Sequence, residues 1–257
     1  MFKDIDISRG ILSSYYDKLL HHLSCDILIA GAGPSGLTAG YTLAEKGFKV
    51  TILEKRLSPG GGVWGGGMMM NEVLIQEDAV PILDEVSIRR KEWEKGIFTV
   101  DSIELASGLC FHALQKGVQI FNLTHAEDVV VEDGRVTGLA VNRTQGFETK
   151  LPIDPIVMES KAVLDATGHE SAVVHMVQRQ GFKLRTKSGG MMGEGPMFAG
   201  EGEAFVEENT SEIFPGLFVS GMAVCNAFGG PRLGPIFGGM LLSGKKAADL
   251  IGKALAP

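Results

Sequence analysis

The chain has 257 residues, 44% of them hydrophobic and 21% charged, and its formal net charge is −7 at pH 7. This length is sufficient for one well-buried domain, and the composition is that of an ordinary globular protein. The acidic balance argues against a nucleic-acid partner, because phosphate binding needs a basic face. Glycine is unusually frequent at 35 residues, which indicates tight turns and close backbone approaches, as around a bound nucleotide.

The cysteines and the first residues of the chain bear on its cellular setting. Cys25, Cys110 and Cys225 are odd in number, widely spaced and without a CxxC pair, so they predict neither a disulfide framework nor a zinc finger. Residues 1–24 carry several charges and lack the apolar core of a signal peptide. The glycine-rich run at residues 219–231 is too short to cross a bilayer. We therefore expect a cytoplasmic protein with reduced thiols and no membrane partner.

The first predicted element is an amphipathic helix over residues 7–23. Ile11, Tyr15, Leu19 and Leu23 recur at helical spacing, which places them on one face of the helix. A stripe of this kind packs either on the core of its own chain or on a neighbouring subunit, and the sequence leaves both open.

A βαβ unit follows this helix. A short apolar run at residues 25–30 is typical of a buried parallel strand. A helix then extends to about Lys46, Gly47 ends it, and residues 49–53 form a second strand. The strand, helix and strand together have the length of a complete parallel βαβ unit.

The turn inside this unit has the spacing GxGxxG at Gly31, Gly33 and Gly36. Gly31 permits the tight turn, Gly33 lets the backbone approach a pyrophosphate, and Gly36 allows close packing of helix and strand. The N-terminus of the helix offers free N–H groups and a positive dipole end to phosphate. Glu54 ends the second strand, where an acid binds ribose hydroxyls and favours NAD or FAD over NADP, although the basic Lys55 follows it. We therefore predict dinucleotide binding.

A second glycine-rich segment, Ser-Pro-Gly-Gly-Gly-Val-Trp-Gly-Gly-Gly, covers residues 58–67. Successive glycines expose backbone N–H groups that can form an anion nest over a pyrophosphate. A flexible loop without a ligand is the alternative interpretation.

The remaining predicted elements alternate between helices and strands. They are a helix at 101–117, strands at 118–123 and 126–131, a hairpin turn at Asp133-Gly134 into a strand at 136–141, strands at 162–166 and 217–220, and a closing helix at 238–255. Residues 183–204, rich in glycine and methionine, are predicted to form a mobile or ligand-ordered loop. The whole pattern predicts an α/β, Rossmann-like dinucleotide-binding fold with a mixed sheet, an inserted β-hairpin and an N-terminal helix, in one domain over residues 1–257.

The C-terminal part contains a Phe-Val-Ser-Gly-Met run ending at Met222 and a glycine-rich segment at residues 229–239. This resembles the C-terminal signature of flavoprotein oxidoreductases, in which an Asp follows the strand-end glycine and binds the flavin side. Met222 stands in that place, which argues against FAD. Arg232 is an isolated basic residue amid small residues, which suits bidentate capture of a small carboxylate. A surface or structural ion pair is the alternative.

Asp154 and His169 are candidate metal ligands. Asp154-Pro155 begins a strand-like run, and His169 follows a later strand in the sequence Thr-Gly-His. Asp and His are ordinary ligands of divalent transition metals, and two protein ligands would leave open positions. Spacing alone does not separate a metal site from a hydrogen-bonded structural pair. His175 is a candidate third ligand, but its position predicts a place on the following helix.

These motifs together resemble the thiamin thiazole synthase family. The matching segments are GAGPSGLTAG at 31–40, Glu54-Lys55, PGGGxWGGG at 59–67, Asp154-Pro155, Thr167-Gly168-His169, Gly221-Met222 and Arg-x-Gly-Pro-x-Phe-Gly at 232–238. The resemblance extends from about residue 8 to the C-terminus. The combination of the last motif with Thr-Gly-His and the βαβ start is specific, whereas the first motif alone is not.

The resemblance implies an activity in which NAD and glycine are consumed, nicotinamide is released and an adenylated thiazole carboxylate is built. NAD would thus be a substrate and not a hydride carrier. By matched position, the ADP part would be held by Ser35, Glu54, Lys55, Gly62 and Ala126. Asp154 and His169 would bind iron(II), with Asp154 reaching the site of a neighbouring subunit in a homo-oligomeric ring such as an octamer. Met222 and Arg232 would hold the glycine-derived part, with Arg232 on its carboxylate.

One departure from the family pattern bears on the source of sulfur. Eukaryotic members carry a Cys two residues before Asp-Pro and give up its sulfur, whereas archaeal relatives usually have His there and use free sulfide. This chain has Pro152 at that position, and no cysteine lies near Asp154 in the sequence. The resemblance therefore implies sulfide from solution as a third substrate, and repeated turnover.

Three other functions stay open at this point. A flavin-dependent oxidoreductase fits the fold, but Met222 and the short chain, which leaves too few residues for a separate substrate domain, oppose it. A sugar-phosphate isomerase would need a second phosphate site, and the basic run at residues 89–91 lies among glutamates and is predicted to be a solvated helix face. A non-catalytic protein that holds NAD or an adenylated product is kept open by Pro152.

Overall fold

A mixed β-sheet occupies the centre of the protein, whose computed structural model describes residues 2–256. The strands are β1 (Ser24–Ala30), β2 (Val50–Glu54), β3 (Glu72–Gln76), β4 (Lys91–Glu94), β5 (Ile97–Asp101), β6 (Gln119–Asn122), β7 (Thr124–Glu132), β8 (Arg135–Arg143), β9 (Ile156–Asp165), β10 (Gly195–Met197), β11 (Ser211–Phe214), β12 (Leu217–Val219) and β13 (Pro231–Arg232). The helices are α1 (Asp4–His22), α2 (Pro34–Glu45), α3 (Val80–Glu85), α4 (Ser102–Gln115), α5 (Thr144–Glu148), α6 (Ala172–Arg179), α7 (Ala199–Asn209), α8 (Met222–Phe228) and α9 (Gly238–Leu255).

The principal sheet has eight strands in the order β11-β12-β9-β1-β2-β6, and the hairpin β7–β8 joins it through pairing of β8 with β9. The strands from β12 to β6 in this order run parallel, whereas β11 and the hairpin are antiparallel. β9 belongs to both parts, because its first half pairs with β8 and its second half pairs with β1. This confirms the predicted Rossmann-like fold with a mixed sheet and an inserted hairpin.

β1 is covered by packed side chains on both faces. Ile27 and Ile29 belong to a hydrophobic cluster shared with α2, α4 and α9, whereas Leu28 and Ala30 belong to a second cluster shared with the hairpin and α6. Successive strand residues point to opposite faces, so a parallel strand covered on both sides needs an apolar residue at every position. The continuous apolar run in the sequence is explained by this double burial.

The predicted hairpin is confirmed at its turn. Asp133 and Gly134 have φ values of 49° and 73°. Two consecutive positive φ values are typical of the type I′ turn, which Asp-Gly favours because its twist matches that of the flanking strands.

Two parts of the chain differ from the prediction. The sequence pattern does not indicate the small antiparallel sheet β3-β5-β4. The segment predicted to be a loop at residues 183–204 contains β10 and the first turns of α7. Its polar and glycine-rich composition favours a loop, but pairing of β10 with the distant β13 gives its backbone partners that no local pattern reveals.

The basic run at residues 89–91 does not lie on a helix, so that prediction was wrong. α3 ends at Glu85, and Lys91 starts β4. Arg89 pairs with Glu104 and Arg90 with Asp84, at 2.8 Å and 2.6 Å. The run is nevertheless paired with acids at the surface, and a phosphate site there gains no support.

α1 presents a largely exposed surface, and none of its residues is buried. Its exposed large apolar side chains are Ile5, Ile7, Ile11, Leu12, Tyr15, Tyr16 and Leu20. Near the end of the helix Leu19 packs on the second hydrophobic cluster, and His22 Nδ1 lies 2.8 Å from Thr51 Oγ1. Packing on its own core thus accounts for the end of α1, and contact with a neighbouring subunit stays the prediction for the rest. Within residues 2–256, no helix combines the length and the apolar character needed to cross a membrane.

The two glycines at the start of the βαβ turn make a matched test of the fold. Gly31 has a φ of 102°, and a Cβ there would lie 2.3 Å from Ala166 O, whereas a Cβ on Gly33 would meet no atom within 4 Å. We expect Gly31→Ala to lower the free energy of unfolding by about 3 kcal/mol or more, through backbone strain and collision with a buried strand end. Gly33→Ala should change it by no more than about 1 kcal/mol. Urea unfolding of both variants measures this, and equal stabilities would contradict the steric assignment.

Candidate functional site

A cavity of about 500 Å³ lies at the carboxyl ends of the parallel strands β1, β2 and β9. Open parallel sheets bind ligands at this edge, where the loops after successive strands meet. Of the predicted site residues, the cavity is lined by Gly31, Gly33, Ser35, Glu54, Lys55, Gly62, Ala126, His169 and Met222. Gly36, Asp154 and Arg232 do not line it. A more open depression of about 510 Å³ lies at the other end of β1, around Ser24, Lys49 and Lys161, and includes none of the predicted site residues.

Two of the three glycines in the first glycine-rich turn, Gly31 and Gly36, are required for steric reasons. A Cβ on Gly31 would strike Ala166 O, and one on Gly36 would lie 2.1 Å from Gly31 O. These two glycines therefore close the turn and seat α2 against the strand end. Gly33, whose Cβ position is open, leaves the backbone beside the first turn of α2 accessible from the cavity.

The second glycine-rich segment is ordered against the first. Residues 61–65 form a 3₁₀ turn, and Gly60 N–H donates to Ala32 O at 2.7 Å. A Cβ on Gly61 would lie 2.9 Å from the Cα of Gly33, so the two turns touch through glycine backbone. Gly61, Gly62 and Gly66 line the cavity. The segment is thus a folded wall of the cavity.

Glu54 is fixed at the cavity by backbone donors. Its carboxylate accepts hydrogen bonds from Ala32 N–H at 3.0 Å and Arg56 N–H at 2.8 Å, and the residue is only 5% exposed. These bonds hold the side chain in place at the end of β2. Lys55, the next residue, forms an ion pair with Glu170 at 2.5 Å, which links the end of β2 to the turn after β9 across the cavity.

His125 is a lining residue that the sequence reasoning did not single out. It is stacked on Phe147 with ring centroids 3.8 Å apart. Burial lowers the pKa of His125 below its ordinary value, because the charged form loses its hydration. The ring therefore presents a neutral aromatic surface at neutral pH. The sequence could have indicated His125 because it immediately precedes Ala126, which was predicted to lie at the nucleotide.

The turn that carries His169 is built by Asp165 at the end of β9. The Asp165 carboxylate is fully buried and accepts hydrogen bonds from Thr167 N–H and Oγ1–H and from the N–H groups of Val173 and Val174. It thereby caps α6 and holds the intervening turn. Asn226 Nδ2 donates to the carbonyl of His169 at 2.8 Å, which ties this turn to α8.

Glu194 brings His169 and Arg232 together. One carboxylate oxygen of Glu194 lies 2.6 Å from His169 Nδ1, and the other lies 3.4 Å from Arg232 Nε. The Glu194 side chain is 16% exposed, whereas those of His169 and Arg232 are about half exposed. The predicted metal ligand His169 and the predicted carboxylate-binding residue Arg232 are therefore joined through an acid that lies in the glycine- and methionine-rich segment predicted to be a loop.

The structure places Asp154 away from the cavity, on an exposed segment of the same chain. Pro152, Asp154 and their neighbours between residues 151 and 157 are exposed. Ile153 N–H donates to Leu151 O at 2.9 Å, and Asn142 Nδ2 donates to Ile153 O at 3.2 Å, so the segment is held by its own chain. Across residues 2–256, no group of three or more His, Cys, Asp or Glu side chains is arranged to hold a metal. His175 is exposed on α6, as predicted.

No cysteine among the described residues lines the cavity. Cys25 and Cys225 are buried and Cys110 is half-buried, and all three are free thiols. Burial raises the pKa of Cys25 to about 11 and that of Cys225 to about 12, and it also raises the pKa of Cys110. Thiols of this kind carry little nucleophilic thiolate at neutral pH.

Comparison with known proteins agrees with the motif-based resemblance. The Thi4 family model matches residues 8–237. The thiamine thiazole synthase of Pyrococcus abyssi is 49% identical over 251 residues, 98% of each chain, and that of Thermotoga maritima is 47% identical over 254 residues, again 98% of each. The crystal structure of Thermovibrio ammonificans THI4 matches with a TM-score of 0.97 and 43% identity and covers 99% of both chains. The chain therefore belongs to the Thi4 family.

Proposed function

We propose that this protein is an enzyme of thiamin biosynthesis that converts NAD, glycine and free sulfide into an adenylated thiazole carboxylate and releases nicotinamide. Dependence on iron(II) and repeated turnover belong to the same proposal. The observation that carries it is the cavity in which the glycine turn and Glu54 meet His169, itself joined through Glu194 to Arg232, in a chain of the Thi4 family.

In this proposal the ADP part of NAD lies along the turn between β1 and α2. Gly33 has the open space that lets a pyrophosphate approach the backbone, and the N-terminus of α2 offers N–H groups to phosphate. The fixed carboxylate of Glu54 accepts hydrogen bonds from ribose hydroxyls. The cavity-lining residues that would flank the nucleotide are Gly31, Ser35, Lys55, Gly62 and Ala126. Gly36, predicted to be part of the same site, does not line the cavity and would act indirectly, by seating α2 against the turn.

The reacting end of the cavity would hold glycine. Arg232 presents a guanidinium group that is half exposed beside the lining residue Leu233, and its planar fork matches a carboxylate. Met222 lies at the start of α8 and lines the cavity, where its flexible thioether contacts the apolar part of the substrate. Arg232 would therefore orient the substrate by its charge, and Met222 would orient it by shape.

The donor set suits a divalent transition metal if two copies of the chain contribute. His169 lines the cavity and has Nδ1 engaged by a carboxylate, as ligating histidines commonly do. Asp154, exposed on its own chain, would enter the cavity of a neighbouring subunit. Iron(II) at these residues would supply a Lewis acid that keeps the reactants together.

The sulfur source is inferred from what the chain does not place at the cavity. Within residues 2–256 no cysteine lines it, and the buried thiols have raised pKa values. Pro152 supplies neither sulfur nor a titratable group. Free sulfide is therefore the donor in this proposal, so the protein is not consumed.

A cytoplasmic homo-oligomeric ring, such as an octamer, is part of the proposal. The apolar side chains exposed on α1 and around Asp154 include Ile11, Tyr16, Leu151 and Ile153. Large exposed apolar patches are a common mark of contacts between proteins. An interface between copies would cover them and would supply Asp154 in trans.

The deciding experiment is an anaerobic reaction of the purified protein with NAD, glycine, iron(II) and sulfide, followed by mass spectrometry of small molecules and of the intact protein. An adenylated thiazole in molar excess over a protein of unchanged mass supports the proposal. Release of nicotinamide without thiazole would contradict it and would implicate Pro152. No reaction together with bound flavin would favour the oxidoreductase alternative, and bound NAD without any reaction would favour a binding protein.

Replacing Glu54 tests the nucleotide site. Glu54→Ala should weaken NAD binding by about tenfold or more, because hydrogen bonds to an ionised group are lost. Isothermal titration with NAD measures the affinity, with Glu208→Ala, an exposed site on α7, as the charge-matched control. An unchanged affinity in a folded Glu54 variant would remove its ribose role.

Replacing the two predicted metal ligands tests the metal site. Asp154→Ala and His169→Ala should each abolish iron-dependent thiazole formation with circular dichroism unchanged, because each removes a ligand. His175→Ala, an exposed histidine six residues beyond His169, should stay active. Full activity of either ligand variant would refute the assignment.

Mixing the two variants tests whether Asp154 acts in trans. Co-expressed Asp154→Ala and His169→Ala chains should regain part of the activity, because some mixed interfaces combine both intact ligands. Separately purified variants that are never co-assembled should stay inactive. Failure of co-assembled chains to recover activity would place both ligands on one chain.

Removing all thiols tests the sulfur source. A variant with Cys25, Cys110 and Cys225 replaced by Ala should still form thiazole from sulfide, with a product-to-protein ratio above one. If burial makes that variant unstable, Cys110→Ala alone and the intact mass of wild-type protein after turnover decide the question. Product limited to one equivalent, with loss of sulfur mass from the protein, would contradict free sulfide.

A further inference from the structure

We propose that Glu194 is a positioning residue that sets both His169 and Arg232 in their working arrangement; this inference rests on the proposed function. Its two carboxylate oxygens divide between the two side chains, at 2.6 Å from His169 Nδ1 and 3.4 Å from Arg232 Nε. One acid thus connects the predicted metal ligand to the predicted clamp for the glycine carboxylate.

On the histidine side, Glu194 selects the tautomer of His169. An ionised carboxylate accepts hydrogen bonds and cannot donate, so Nδ1 carries a proton and Nε2 keeps its lone pair for a metal. A carboxylate behind a ligating histidine also fixes the plane of the ring. Glu194 therefore prepares His169 for a cation before the cation arrives.

On the arginine side, Glu194 engages one edge of Arg232. It contacts Nε, which leaves the Nη groups as donors for a bidentate carboxylate. The negative charge of Glu194 also offsets the positive charge of the guanidinium. Arg232 can therefore lie close to a metal ion bound at His169 without strong electrostatic repulsion between the two cations. Loss of the Glu194 charge should therefore weaken the binding of the metal and the binding of the substrate together.

The backbone around Glu194 is held on both sides. Gly193 N–H donates to Asn226 O at 2.9 Å, and Gly195 N–H donates to Gly230 O at 2.8 Å. The second bond belongs to the parallel pairing of β10 with β13, the strand that ends at Arg232. Asn226 in turn donates to the carbonyl of His169. The acid and both side chains that it contacts are therefore placed by one connected set of hydrogen bonds, as preorganised sites require.

The experiment compares Glu194→Ala and Glu194→Gln with wild type, and uses Glu201→Gln, an exposed glutamate in the first turn of α7, as the control for loss of one negative charge. Cobalt(II) affinity is measured in the full-length protein by optical titration, without turnover. The KM for glycine, kcat and the affinity for NAD are measured separately.

Glu194→Ala should lower the affinity for cobalt(II) by roughly 10–100-fold, which is the usual loss when a metal-bound histidine loses its hydrogen-bond partner. It should also raise the KM for glycine by about tenfold, whereas NAD affinity should change by less than about twofold, because Glu54 and the glycine turn are untouched. Glu194→Gln should recover part of the cobalt affinity through its amide oxygen but not the KM, since its amide NH₂ faces Arg232. Glu201→Gln should match wild type.

Unchanged cobalt affinity, or a shift in only one of the two properties, would overturn the shared role. An equal loss of NAD affinity in both Glu194 variants would show a general structural defect and would overturn it as well. A wild-type protein that forms no thiazole, yet binds cobalt in a Glu194-dependent way, would reject the proposed function and keep this inference for the metal. Thiazole formation by a protein whose cobalt affinity and KM for glycine do not depend on Glu194 would keep the proposed function and reject this inference.

Discussion

The buried carboxylate of Asp165 is the contact on which the geometry of the site depends. Burial raises the pKa of this carboxyl, and an acid without access to water is tolerated only where donors surround it. Thr167, Val173 and Val174 provide those donors. The backbone carbonyl of Asp165 also accepts a hydrogen bond from Ser220 N–H, at the end of β12. A single residue at the end of β9 thus fixes the turn before His169, the start of α6 and the approach to α8, so that His169 has a fixed position at the cavity.

The features that could be predicted from the sequence are those whose causes are local. Gly31 is required by a positive φ, Gly36 is required by a collision with Gly31 O in the same turn, and Asp133-Gly134 is required by the twist of its own hairpin. The continuous apolar run that buries β1 on both faces is visible in four consecutive letters, residues 27–30. The sheet β3-β5-β4 could not be predicted this way, because its strands are short. Its core residues, such as Ile75 and Val100, are buried only once α4 and α9 pack on the sheet, and no local pattern shows that packing.

Glu194 shows why site residues are harder to predict than motifs. It lies 25 positions after His169, in a segment whose glycines and methionines have no helical or strand period. Glu194 is brought beside Arg232 by the pairing of β10 with β13. These strands have three and two residues and are too short to give a periodic signal. The sequence motifs single out His169 and Arg232, but the acid that joins them, Glu194, is defined only by the fold.

Pro152 restricts the backbone of the exposed segment that carries Asp154. Prolines at 152 and 155 restrict their own φ and disfavour helical backbone at Leu151 and Asp154. Ile153, near the middle of this segment, donates its N–H to Leu151 O and accepts a hydrogen bond from Asn142 Nδ2. Asp154 is therefore displayed at the surface on backbone whose conformational freedom is restricted. An exposed carboxylate on a stiff segment loses less entropy on entering a second copy than one on a flexible loop. Under the proposed function, the ring of Pro152 would therefore help to present Asp154 to a neighbouring subunit, although it contributes no sulfur and no proton.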